Sequence, residues 1–256
     1  MAWKGVEGDP RIWYSVWDTA ANAWGTQIAS RFETEHFPTV VQFRNHILMF
    51  WNNSKSHDDG EGRICWSELV NGQWTHPLGP GETSKAVLGL PHVDGVTATW
   101  NTHEDALFIA YRGPGTVTDV SWWELDNHTQ SGSFLWQESG TVPHAAASAA
   151  PALVADGNVM YLAWRNVDND HISWSWSVNG SFWAPPRSLT DRLTSAGPAL
   201  AALNTSDVVM AWKGGGPDPH IWWSRLRDGV WGEQQAFPDR TVYADRAVSL
   251  WSPVLG

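Results

Sequence analysis

The sequence predicts an all-β chain folded as a five-bladed β-propeller of four-stranded blades. Three observations point there. One motif recurs roughly every fifty residues along the chain, hairpin signals punctuate its copies, and the two ends are incomplete in complementary ways. The recurring step is an aromatic followed by a basic residue or Asn. It reads Ala2-Trp3-Lys4-Gly5, Phe50-Trp51-Asn52-Asn53, Ala110-Tyr111-Arg112-Gly113, Ala163-Trp164-Arg165-Asn166 and Ala211-Trp212-Lys213-Gly214. A polar loop then leads into a strand, as in Arg11-Ile12-Trp13-Tyr14-Ser15, His171-Ile172-Ser173-Trp174-Ser175 and His220-Ile221-Trp222-Trp223-Ser224.

Next comes a turn ending in Trp. Asn71-Gly72 precedes Trp74, Asn179-Gly180 precedes Trp183, and Asp228-Gly229 precedes Trp231. Asn-Gly and Asp-Gly are strong hairpin signals because the tight turns that match strand twist need positive φ. The first copy is looser, from Asp18 to Trp24, and the third reaches Trp136. Two apolar stretches complete each copy, for example 151–155 and 159–164 around Asp156-Gly157, and 198–202 and 208–212 around Asn204. Four short strands per copy without helical periodicity make a propeller blade. Continuous apolar runs such as Ile47 to Trp51 suit a blade covered on both faces. The last copy stops after a stretch ending at Trp251, and the strand that should follow stands at residues 1–5. The N-terminal strand thus completes the last blade and closes the ring, leaving no open edge. Residues 1–256 read as a single domain, with repeats at approximately 1–49, 50–109, 110–162, 163–210 and 211–256.

Composition narrows the function. A net charge of −11 without a Lys/Arg run disfavours phosphate contacts with nucleic acid and docking on an anionic membrane. No apolar run is long enough to span a bilayer, so no membrane insertion is expected. Cys65 is the single cysteine, so the fold holds without an intrachain disulfide. The chain opens directly on repeat sequence with no leader, which predicts a cytoplasmic protein unless it is released. Asn127, Asn179 and Asn204 begin glycosylation patterns that carry meaning only on secretion. The 20 Trp, against 4 Tyr and 8 Phe, are the compositional outlier and recur at matching places in the repeat.

The Trp-Lys-Gly, Asp, Ile-Trp-Tyr-Ser, Asp/Asn-Gly, Trp pattern resembles the tandem repeats of microbial and fungal β-propeller lectins. The blade number is similar to that of the tachylectin-like five-bladed lectins. That resemblance covers essentially the whole chain and implies one sugar site per blade. The segment Ser175 to Trp183 also resembles the Asp-box hairpin of sialidases, a structural turn found in enzymes and binders alike.

Each repeat offers the groups a sugar needs: an aromatic face for the apolar side of a pyranose, and charged or planar groups for its hydroxyls. The loop carboxylates are Asp9, Asp59, Asp119, Asp170 and Asp218, with Arg11, Arg63, His171 and His220 beside them. The hairpin tryptophans Trp24, Trp74, Trp136, Trp183 and Trp231 follow, and Lys4, Arg112, Arg165 and Lys213 add donors, with Asn52 in the second copy. The third copy breaks the pattern, having Ser121 and no Arg or His in its loop. Packing explains part of this list equally well. Trp3, Trp51, Tyr111, Trp164 and Trp212 read as core between blades, as do Trp66, Trp122, Trp174 and Trp223. A hairpin Trp can simply lock its turn, and a loop Asp can cap its own backbone.

An enzyme of this architecture needs a one-off set of carboxylates converging on one funnel. Glu33, Glu35, Glu68, Glu104, Glu124 and Glu138 lie outside the repeat, but nothing in the sequence gathers them. There is no arginine triad, nucleophile elbow, phosphate loop or zinc-spaced His/Cys pair. The acidic runs at 58–61 and 168–170 lack the remaining positions of a calcium loop, so neither metal nor cofactor is expected. A protein-interaction propeller would show top-face patches that differ from blade to blade, whereas here the loop chemistry repeats. The expectation is a non-enzymatic, multivalent lectin with up to five sugar sites between adjacent blades on one face.

Overall fold

The structure, a computed structural model, describes residues 1–53, 63–75, 85–87, 95–113, 116–126, 135–204 and 207–241. Among these residues the secondary structure is strand and turn, without a helix. Five antiparallel sheets follow one another along the chain, with a small two-stranded hairpin, Trp17–Asp18 with Ala23–Trp24, attached to the first. The fourth sheet is the plainest example. Ala152–Asp156, Val159–Arg165, His171–Ser177 and Arg187–Leu193 pair in chain order. The third sheet runs Val96–Asn101, Ala106–Arg112, Asp119–Asp126 and Leu135–Ala146 in the same way. The second opens with Thr39–Phe43 and His46–Asn53, and the fifth with Ala199–Asn204 and Asp207–Lys213. The first sheet holds only Ala2–Lys4, Arg11–Tyr14 and Ile28–Glu33.

Each sheet buries itself against the next. In the third sheet Ala106–Arg112 is buried at every residue. Its side chains alternate between two partners, as strand geometry requires. Leu107, Ile109 and Tyr111 join Phe43, Phe50 and Trp66 of the second sheet. Ala106, Phe108 and Ala110 join Leu162, Trp164 and Trp183 of the fourth. The fourth and fifth sheets share Trp174, Met210 and Trp212, and the first and second share Tyr14, Phe32 and Trp51. The first strands of consecutive sheets lie side by side, tied by bonds from the backbone N–H of Leu153 to Thr97 Oγ1 (3.3 Å) and of Ala155 to Thr99 Oγ1 (3.0 Å). This double-sided burial is why the strands read as continuous apolar runs rather than alternating ones.

The strand aromatics expected in the core are there. Trp51, Trp164 and Trp212 are fully buried, as is Tyr111 to within a few per cent, and Trp3 is half-buried. Trp66, Trp122 and Trp174 are also buried, while Trp223 is half-buried. The turn chemistry holds as well. Asn71-Gly72 and Asp228-Gly229 both have positive φ at each residue, the backbone of a two-residue hairpin turn.

The hairpin tryptophans take the packing alternative where the structure describes them. Trp74 lies edge-on to Tyr14 of the preceding sheet, with ring centroids 6.0 Å apart, and the Tyr14 hydroxyl donates to Gly72 O at 3.2 Å. Trp231 meets Trp174 edge-on at 5.9 Å. Trp183 is 7% exposed within the cluster shared with the third sheet. Each therefore clasps the sheet before it; Trp74 and Trp183 are left with little ring area for a ligand, whereas Trp231 is only half-buried. The Trp136 side chain lies outside the described residues. If Trp183 is a clasp, its replacement by Ala should cost about 3–5 kcal/mol of stability in chemical denaturation; a loss below about 1 kcal/mol would mean that the ring is not packed.

Candidate functional site

Among the described residues, the loops leading into Arg11–Tyr14, Asp119–Asp126, His171–Ser177 and His220–Arg227 gather the charged residues of the repeat. Backbone bonds fix their register. Gly5, Gly113, Asn166 and Gly214 donate to the carbonyls of Arg11, Asp119, His171 and His220 at 2.9, 3.0, 2.8 and 2.9 Å. Pro10, Thr118 and Asp170 occupy one further position, because their carbonyls accept from Thr34, Ala147 and Thr194. This register corrects two expectations. Asp119 stands where Arg11 and His220 stand, and the place of Asp9 is taken by Val117. Asp170 stands at the place of Pro10, and the place of Asp9 is taken by Asn169, whose Oδ1 accepts from the His171 N–H at 3.1 Å. The second loop, with Asp59, lies outside the described residues, as does the Arg63 side chain.

Among the described loops, the first and fifth share one constellation. Asp9 accepts from Arg11 Nε (2.8 Å), Arg11 Nη2 (2.9 Å), the Arg11 backbone (3.1 Å) and Trp13 Nε1 (2.9 Å). The guanidinium lies over the Trp13 ring, 5.0 Å from its centroid, and the Arg11 side chain remains 50% exposed. In the fifth loop Asp218 accepts from His220 Nδ1 (2.6 Å), the His220 backbone (3.0 Å) and Trp222 Nε1 (2.7 Å). The His220 and Trp222 rings are 6.4 Å apart, edge to face.

Glycine is needed below both carboxylates. A Cβ on Gly5 would come within 2.7 Å of the Asp9 carboxyl carbon, and one on Gly214 would strike Asp218. The signal in the sequence was therefore Gly-x3-Asp followed four residues later by Trp. Trp13 and Trp222, which the sequence reading assigns neither to the core nor to the site, are members of it.

The carboxylates hold the cation and the indole in fixed relation. Hydrogen bonds from Arg11 and Trp13 keep Asp9 ionised far below the ordinary carboxylate range. At Asp218 partial burial works against ionisation, but bonds from the His220 backbone, the Trp222 indole and the His220 ring outweigh it and lower the pKa. Asp9 should thus show no carboxyl titration by carbon NMR between pH 5 and 3; a midpoint near the usual value of about 3.9 would mean that the clamp is not formed.

Beside the first trio lies a shallow recess of about 250 Å³ lined by Lys4, Gly5, Glu7, Glu35 and Phe37. It brings a cation, two carboxylates and an exposed aromatic edge together. Glu7, Glu35 and Phe37 follow no repeat pattern, and nothing in the sequence joined them to Lys4. Among the other cations of this column, Arg112 and Lys213 are buried and tie down backbone, whereas Arg165 pairs with an exposed carboxylate. Arg112 Nε donates to Ala147 O (2.9 Å), and burial lowers its pKa. Arg165 donates to Asp170 Oδ1 (2.9 Å) and Ser195 O (3.2 Å). Lys213 is buried and donates to Ser195 Oγ (2.7 Å), Asp218 O (3.3 Å) and Gly214 O (3.4 Å). Trp24 sits on the small two-stranded hairpin, 51% exposed and edge-on to Trp17 at 5.2 Å. Among the described residues no His/Cys/Asp/Glu group is arranged to hold a metal ion, and no helix is long and apolar enough to cross a membrane.

No family model and no curated protein sequence matches this chain. Solved structures do match. A protein of unknown function from Dyadobacter fermentans has a TM-score of 0.59 at 12% identity, over 78% of this chain and 68% of that one. The Aleuria aurantia lectin in complex with Fucalpha1-6GlcNAc has a TM-score of 0.55 at 16% identity, over 96% and 78%. A Hadza microbial sialidase has a TM-score of 0.53 at 14% identity, over 77% of this chain and 46% of its own, so the chain spans less than half of that enzyme. The fold is a β-propeller. At such identities the likeness carries the fold alone, and lectins and glycoside hydrolases share it. Both trios sit on the loops that lead into equivalent strands, Arg11–Tyr14 and His220–Arg227.

Proposed function

We propose that this chain is a five-bladed, multivalent carbohydrate-binding propeller without enzymatic activity. Its principal sites are the trios of the first and fifth blades. The observation that carries this reading is the repetition itself: Asp9–Arg11–Trp13 and Asp218–His220–Trp222 hold a cation beside an indole in the same register. Packing needs no such trio at an exposed loop. A guanidinium fixed by a carboxylate is pre-organised to donate to a hydroxyl or carboxylate, because the cost of ordering it is met before a ligand arrives. A shallow sugar site binds near the millimolar range, about −4 kcal/mol. Two or more such sites on one rigid body can raise apparent affinity for a glycan-coated surface by roughly 10²–10⁴. In a closed ring the two trio-bearing blades are neighbours.

Closure has its own support. The first sheet lacks the inner strand that the other four possess among the described residues, and the segment ending at Trp251, outside those residues, repeats the inner-strand pattern. Strand Ala2–Lys4 pairs with Arg11–Tyr14 of the first sheet and not with the fifth, which corrects the expectation that the N-terminal strand completes the last blade. The segment ending at Trp251 instead supplies the inner strand of the first blade on this reading. Trp24 would then meet Trp223, as Trp74 meets Tyr14 and Trp231 meets Trp174. On this reading Trp24→Ala costs about 3 kcal/mol of stability despite the exposure of the ring; a change below about 0.5 kcal/mol would leave the ring open at this seam.

A second reading, a glycoside hydrolase, is favoured by one observation: the recess at Lys4 places Glu7 and Glu35 at a single, unrepeated location. A glycan array combined with fluorogenic glycosides separates the two. The lectin reading expects array binding that falls about tenfold or more when Arg11 and His220 are both changed to Ala, with no turnover. Turnover abolished by Glu35→Gln, with array binding indifferent to Arg11 and His220, would replace it with the hydrolase.

A further inference from the structure

The hairpin of the fourth blade carries a feature that neither the clasp nor the trio loops require. Its turn is one residue longer than its counterparts. Four residues separate Leu69 from Trp74 and Leu226 from Trp231, their cross-strand partners, whereas five separate Ser177 from Trp183. The longer turn closes on side chains: the Gly180 N–H donates to Ser177 Oγ (2.8 Å), and the Phe182 N–H donates to Asn179 Oδ1 (3.3 Å). One consequence is Phe182, which is 82% exposed at the place held by Gln73 and Val230 in the other two hairpins.

Phe182 borders a recess of about 490 Å³, together with Trp176, Val178, Asn179 and the edge of Trp183. The half-buried Trp176 ring is held in place, with the Arg187 guanidinium 4.6 Å from its centroid and Trp174 5.3 Å away. The residues lining the recess are themselves uncharged, and the Arg187 guanidinium stands over the Trp176 ring at its border. Flat aromatic faces, whose electron-rich surfaces attract C–H groups, beside an exposed primary amide match the two sides of a pyranose. The volume falls within the range of about 300–1,000 Å³ typical of small-molecule sites. The recess lies at the opposite end of strand His171–Ser177 from the fourth blade's counterpart of the trio loops, about 20 Å along a strand of that length.

We propose that this hairpin recess is a second, independent ligand site, taking a neutral sugar of one or two rings between Phe182 and Trp176. It does not depend on the trio loops binding anything. The test uses the full chain labelled with 5-fluorotryptophan, with the Trp176 resonance assigned by Trp176→Phe. Maltose, cellobiose and N,N′-diacetylchitobiose are titrated separately. The proposal expects at least one to shift the Trp176 resonance with millimolar saturation. Phe182→Ala, at an exposed position, should weaken that response about tenfold while leaving the melting temperature unchanged. Phe182→Tyr should retain it, and so should the Arg11→Ala/His220→Ala double variant. A Trp176 resonance unmoved by all three sugars would overturn the proposal. So would a resonance that moves only with protein concentration, alongside a Phe182-dependent dimer in sedimentation, because the occupant would then be a second copy of the chain.

Discussion

The constraint on which this molecule depends is that a four-stranded sheet with two apolar faces can bury neither alone. Its strands are apolar on both sides because each side meets another sheet, and the aromatic ending the second strand is the contact that recurs. Trp51 stacks on Phe32 of the blade before it at 4.6 Å, and Trp212 lies against Arg192 of the blade before it at 5.8 Å. Position by position, the outer strand of one blade meets the second strand of the next. Arg192 shows that the contact tolerates a buried guanidinium, whose pKa burial lowers, provided that it can spread over an indole and donate to the Gly232 carbonyl.

That packing leaves the loops at one end of the blades free to differ while holding their bases in register. The same backbone bond closes each described loop, so a residue three or four places along arrives at the same point in space. Where that residue is Asp and the residue four later is Trp, a carboxylate, a cation and an indole assemble. Where it is Val117 or Asn169, they do not. Chemical individuality is thereby imposed on equivalent positions without altering the scaffold, which is how one architecture serves lectins and glycoside hydrolases.

Much of the fold was legible because it rests on local rules. The repeated aromatic–basic step, the Asn-Gly and Asp-Gly turns and the apolar pairs around Asp156-Gly157 each translate directly into strands and hairpins. The site was legible only in part. Asp9, Arg11, Asp218 and His220 were found by their type, but Asp119 and Asp170 were drawn in by the same rule and stand one or two places away from the equivalent position. Only backbone hydrogen bonding reveals that offset, because loops of unequal length slide past one another in a sequence. The hairpin tryptophans deceived in the opposite sense. Their regular spacing is as well explained by a clasp on the preceding blade as by a sugar platform, and Trp74 and Trp183 are committed to the clasp. Glu35 was noted only as one of several carboxylates outside the repeat and Phe37 not at all, since what joins them to Lys4 is the path of the chain from one sheet to the next.

The central claim is that equivalent loops recur on one frame and that two of them carry working sites. Counting bound ligand tests it most directly. Native mass spectrometry of the full chain with the best-binding sugar should show two molecules per chain lost together on changing Arg11 and His220 to Ala. The same number of bound molecules before and after those changes would contradict the account.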